Sequence, residues 1–164
     1  MNKDYKIRKI KSNEVSFLKD FTYYAIYVGN NITISKDILK DPNIKIYYEN
    51  FKLNKDICYV CEHKGKIIAM IWSILFDDNI HGYGYVSKEI PELCMSVEKS
   101  YRNKGIGENL LKIFLLNLRP MYNNVSLSVS KDNYAKDLYL KYGFEIYKEN
   151  KDDYIMLSGK KKIF

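Results

Sequence analysis

The stretch from Leu93 to Leu118 constrains the fold more than any other part of this chain. Leu93, Met95 and Val97 alternate with Cys94 and Ser96, which is the period of a β-strand with two unlike faces. Arg102-Asn103-Lys104-Gly105-Ile106-Gly107 follows, and from Gly105 to Leu118 apolar residues fall at 106, 110, 111, 114, 115 and 118, one stripe of an α-helix. A strand that turns through glycines into an amphipathic helix aims several backbone N–H groups and the positive end of the helix dipole at one point. Glycines at 105 and 107 permit unusual backbone angles and close approach of a ligand, while Arg102 and Lys104 add positive charge. The chemistry matches an anion, and a pyrophosphate fits well. A nucleotide P-loop would need a Gly-Lys-Ser/Thr ending and a dinucleotide fold three spaced glycines near the first strand, and neither pattern occurs.

Around this segment the patterning predicts further elements. Tyr5, Ile7 and Ile10 predict a first strand. Ser12 and Asn13 offer a cap for a helix whose face carries Val15, Leu18, Phe21, Tyr24 and Ala25. After a break at Gly29-Asn30-Asn31 come a weakly helical stretch over 34–39 and a helix opened by Pro42. Runs over 57–61 and 67–75, separated by His63-Lys64-Gly65-Lys66, predict a β-hairpin. The polar segment 77–85 is expected to form an exposed loop that meets substrate. Val125, Leu127 and Val129 predict a fifth strand, 132–142 a late helix, and 144–147 and 154–157 two closing strands. This order is an α/β fold with a mixed sheet.

With 164 residues, 46% of them hydrophobic, the chain can bury one core, and the expectation is a single domain over residues 1–164. Residues 1–11 alternate charged and apolar without the continuous apolar run of a signal peptide, and no stretch approaches the ~20 apolar residues of a membrane span. Three cysteines argue against a disulfide framework, so a cytoplasmic location is expected. The net charge of +7 favours polyanions, which include nucleic acid, acidic membranes and coenzyme A. Much of that excess sits at the ends, in Lys6–Lys11 and Lys160–Lys162, as solvated faces.

The run from Leu93 to Gly107 resembles the acetyl-CoA-binding motif of the GCN5-related N-acetyltransferase (GNAT) family. Leu127-Ser128-Val129-Ser130, then Asn133, Ala135, Leu138, Tyr139 and Tyr142-Gly143-Phe144 resemble that family's next motif in the expected order. Lys99 and Asn103 stand where the family often has proline and glycine. The resemblance implies a mostly antiparallel mixed sheet, flanked by helices, whose splayed central strands hold the cofactor. It also implies that the main chain of Met95 and Val97 pairs with the pantetheine arm, that Arg102, Asn103, Lys104, Gly105, Ile106 and Gly107 hold the pyrophosphate, and that Asn133 hydrogen-bonds the pantetheine region. Dimers are common among such proteins.

The activity so implied is transfer of an acetyl group from acetyl-CoA to an acceptor amine by direct attack. A protonated amine must lose a proton first, and the leaving thiolate gains one. The family pattern puts Tyr139 near the sulfur as the acid. For the base, Glu92 could act directly or through water if burial raises its pKa, and His81 is the second candidate. Two other classes stand beside this one: a domain that binds acetyl-CoA as a sensor without turnover, and a basic nucleic-acid-binding module. The dispersed tyrosines disfavour the latter. Neither membrane nor metal is expected. Cys58-x-x-Cys61 with His63 lacks a fourth ligand, and its odd offset would point the thiols to opposite faces of a strand. Cys94 reads as a small core residue, since direct attack needs no acyl-enzyme.

Overall fold

The computed structural model describes residues 4–29 and 32–159, so Asn30 and Asn31 of the predicted break Gly29-Asn30-Asn31 and the basic run Lys160–Lys162 lie outside the described residues. Seven strands form one sheet in the order β1-β2-β3-β4-β5-β7-β6: β1 (Tyr5–Lys9), β2 (Cys58–His63), β3 (Lys66–Ile74), β4 (Glu92–Val97), β5 (Val125–Ser130), β6 (Phe144–Glu149) and β7 (Asp153–Ser158). Every neighbouring pair is antiparallel except β4 and β5. The helices are α1 (Leu18–Ala25), α2 (Pro42–Glu49), α3 (Ile106–Leu118) and α4 (Ala135–Lys141). The expected mixed, mostly antiparallel α/β architecture is the one observed.

Local chemistry accounts for the elements. The β2–β3 connection is a two-residue turn in which both Lys64 (φ 50°) and Gly65 (φ 78°) are left-handed, the geometry that matches the twist of a hairpin. α2 begins where Asp41 accepts from the Asn43 N–H and Pro42 supplies a helical φ. The long first helix expected from Ser12 is instead a 3-10 turn over Ser12–Phe17 followed by α1. The cap is Lys11, one residue before the predicted Ser12, and the Glu14 carboxylate reaches back to the Lys11 N–H at 2.9 Å.

Alternation along the strands splits the core into two layers. Tyr59, Cys61, Ala69 and Ile71 face α3, whose buried residues are the six of the predicted stripe: Ile106, Leu110, Leu111, Phe114, Leu115 and Leu118. Cys58, Val60, Met70 and Trp72 face α1 and α2. The two thiols of Cys58 and Cys61 therefore lie on opposite faces, as the offset predicts, and no group of metal-ligating side chains occurs among the described residues. Among those residues no helix is long and apolar enough to cross a membrane.

Candidate active site

The sheet opens between β4 and β5. The two strands touch only where Glu92 stands beside Ser126, with the Ser126 N–H donating to the Pro91 carbonyl at 3.0 Å, whereas β5 pairs with β7 over its whole length. Past that point a gap follows, and Cys94, Met95 and Val97 are only half-buried although β4 is a central strand. The Glu98 N–H donates to the Ile68 carbonyl on the β3 side. By alternation the main-chain groups of Met95 and Val97 therefore face the gap, as a strand-like ligand would require. On that side the Val97 carbonyl accepts from Arg102 Nε at 3.0 Å.

The glycine turn lies at the wide end of this gap. Gly105 (φ 74°) is the residue before α3 and offers no side chain to its first N–H groups. A Cβ at Gly105 would meet nothing nearer than Asn109 Nδ2 at 4.0 Å, so the space over the helix start is open. Asn103, standing where the resembled family often has glycine, adopts φ 58°, a left-handed conformation that asparagine tolerates better than most residues. Gly107 lies over β4, where a Cβ would touch Met95 and Val97 side-chain atoms at 3.6 and 3.7 Å, and Ile106 is buried in the core. The open cradle of N–H groups suits a diphosphate. The cationic side chains are less direct than expected. Arg102 also reaches the Tyr24 carbonyl at 3.3 Å, and Lys104 bends back to the Ser100 carbonyl at 3.1 Å and over the Tyr101 ring. Asn133 lies two residues before α4, its Oδ1 accepting from the Ala135 N–H at 2.9 Å, which leaves its amide N–H groups for a ligand.

Two titratable groups approach the gap from opposite faces. Tyr139 belongs to the α3-side layer, where it packs on Phe144 with ring centroids 5.5 Å apart. Tyr139 is 7% exposed, and burial raises its pKa, with Cys94 close enough to add to the rise. Glu92 projects to the α1–α2 side and is 3% exposed, with its pKa pushed up to about 7 by burial against the opposing hydrogen bonds of Tyr47 and Gly84. Oε1 accepts from the Tyr47 hydroxyl at 2.5 Å and from the Gly84 N–H at 2.9 Å. Oε2 is buried and has no hydrogen-bond partner among the described residues. Burial also raises the Cys94 thiol, as expected of a packing residue rather than a nucleophile.

The loop predicted to be exposed is only partly so. Gly82 and Gly84 are buried, and only Tyr83 between them turns outward. A Cβ on Gly84 would lie 2.5 Å from both the Leu127 carbonyl carbon and the Ser128 nitrogen, so the loop rests directly on the β5 backbone at the fork. His81 is exposed and stacked on Tyr85, with ring centroids 4.2 Å apart. Tyr47 was not legible as a site residue: it reads as one more apolar position of α2, and nothing in the pattern marks its hydroxyl.

The sequence model of the family described as "Acetyltransferase (GNAT) domain" matches residues 54–146. The chain belongs to the GNAT acetyltransferase family. Among solved structures it is similar to a GNAT-family acetyltransferase from Staphylococcus aureus Mu50 (19% identity, 96% of this chain and 99% of that one, TM-score 0.66). It is also similar to yncA of Salmonella typhimurium, a putative acetyltransferase solved with its cofactor acetyl-CoA (16% identity, 96% and 95%, TM-score 0.68). A third is the paia N-acetyltransferase of Thermoplasma acidophilum in complex with coenzyme A (17% identity, 94% and 98%, TM-score 0.62). A comparison with curated protein sequences finds no match.

Proposed function

We propose that this acetyltransferase moves an acetyl group from acetyl-CoA to an amine by direct attack on the thioester, with Glu92 as base and Tyr139 as acid. The observation that carries the reading is the fork itself. A gap between two central strands has the glycine cradle at its wide end and, buried at its apex, a carboxylate with one oxygen unpartnered among the described residues. The Met95 and Val97 main chain supports pairing with the pantetheine arm, Arg102 to Gly107 hold the pyrophosphate, mainly through backbone N–H groups, and Asn133 binds the arm near α4.

A carboxylate whose pKa lies near 7 is half-ionised at neutral pH, where a general base works best. Glu92 takes the proton of the ammonium, directly or through water, and the freed amine attacks the acetyl carbon. The new C–N bond forms, the C–S bond breaks, and the departing sulfur receives a proton from Tyr139; the nitrogen, cationic after attack, gives up its second proton to leave the neutral amide and restore the Tyr139 phenol through solvent, while Glu92 passes its own proton to solvent. The raised pKa of Tyr139 keeps that proton in place until a thiolate develops beside it. His81, exposed and stacked on Tyr85, has less support as the base.

The test is thiol release from acetyl-CoA over a panel of amines. Acceptor-dependent release is expected, falling about 10²–10³-fold in Glu92→Gln and about tenfold or more in Tyr139→Phe. Acetyl-CoA binding without release for any amine would favour a sensor. Full activity in Tyr139→Phe would remove that residue from the mechanism.

A further inference from the structure

We propose that Tyr47 is a positioning residue for Glu92: its hydroxyl fixes one carboxylate oxygen so that Oε2 is the atom left to receive the acceptor's proton. The inference rests on the reading of Glu92 as the base. Tyr47 is anchored twice without using its hydroxyl. Its ring meets Phe76 edge-on, with centroids 5.8 Å apart, and its main-chain carbonyl accepts from Trp72 Nε1 at 2.9 Å. The hydroxyl is then held between two partners, donating to Glu92 Oε1 at 2.5 Å and accepting from the Tyr83 N–H at 2.7 Å.

The glycine loop completes the arrangement. The Gly84 N–H donates to the same Oε1 at 2.9 Å, so the two hydrogen bonds that Glu92 accepts among the described residues fall on one oxygen. A Cβ at Gly82 would overlap both the Tyr47 hydroxyl and Glu92 Oε2, so this residue's lack of a side chain lets the loop close over the pair. A carboxylate fixed through one oxygen cannot rotate, and its second oxygen keeps a constant direction. The polar groups facing Glu92 are Tyr47 from α2, the Gly84 N–H from the loop, Cys94 of its own strand and Ser126 of β5, while His81 of the loop is stacked on Tyr85. Of these, Tyr47 and Gly84 stabilise the ionised form against burial.

Removing the hydroxyl should therefore make Glu92 harder to ionise while leaving the ring and its anchors in place. The experiment follows the infrared carboxyl band lost in Glu92→Gln, titrated in the full-length protein without ligand. In Tyr47→Phe the midpoint is expected to rise by about one pH unit. The acid limb of kcat should move up by the same amount, so that the rate at pH 7 falls about fivefold with KM for acetyl-CoA unchanged. Replacing Tyr47 by 3-fluorotyrosine, a stronger donor of nearly the same shape, should move the midpoint down and guards against poor folding of the phenylalanine variant. An unmoved midpoint in both variants overturns the role of Tyr47, even where Glu92→Gln is slow. Undiminished transfer by Glu92→Gln would instead overturn the base, and the positioning role with it.

Discussion

Glu92, the base proposed above, is held in the fold at a cost in stability. In the unfolded chain its carboxyl titrates near 4.5, and in the folded protein burial moves it to about 7. Between those values the folded state holds a proton that the unfolded state has lost, so stability falls as pH rises through this window. The loss should approach roughly 3 kcal/mol above it. Glu92→Gln, neutral at every pH, should thus be more stable than wild type at pH 8 by a comparable amount and about equal to it at pH 4.5. Urea unfolding at the two pH values checks this, and equal stability at both would mean that Glu92 is not strained by burial. None of this was visible in a glutamate at the head of a predicted strand, because the neighbours that desolvate it come from α2 and from the loop over 77–91.

At the scale of elements, the β4–α3 unit was the most legible part of the chain. Its strand alternation, its turn and all six buried positions of its helix agree between sequence and structure, since each depends on neighbours a few residues away. What local pattern did not convey was where Arg102 and Lys104 point: both turn to nearby carbonyls, which in the proposed function leaves the diphosphate mainly to backbone N–H groups. Gly105→Glu should accordingly abolish acetyl-CoA binding by calorimetry while the protein remains folded. Gly105→Ala should bind while losing about 1–2 kcal/mol of stability to the left-handed φ of 74°. Retained affinity in a folded Gly105→Glu would rule out the cradle. The first helix shows the converse, because a capping carboxylate on Glu14 and a 3-10 turn replaced a regular helix that the apolar spacing alone predicted.

The molecule as a whole is organised by the fork in its sheet, whose inner edge is lined on one face by Tyr47, Glu92 and the buried glycines and on the other by α3 and Tyr139. Gly84 joins these parts, touching the β5 backbone while donating to Glu92. Gly84→Ala should push the loop off β5, at a cost of about 1–3 kcal/mol in urea unfolding, and lower kcat through the lost hydrogen bond. An unchanged kcat would separate the loop from the chemistry. By itself the sequence determined the order of the elements and most of their types, the glycine turn ahead of α3 and the family resemblance, because these follow from periodicity and from short motifs whose parts lie close along the chain. Only the tertiary structure decided that the presumed exposed loop is partly buried, that β4 and β5 part just beyond Glu92, and that Tyr47 meets Glu92. Those outcomes depend on packing between segments far apart in sequence, which no local pattern records.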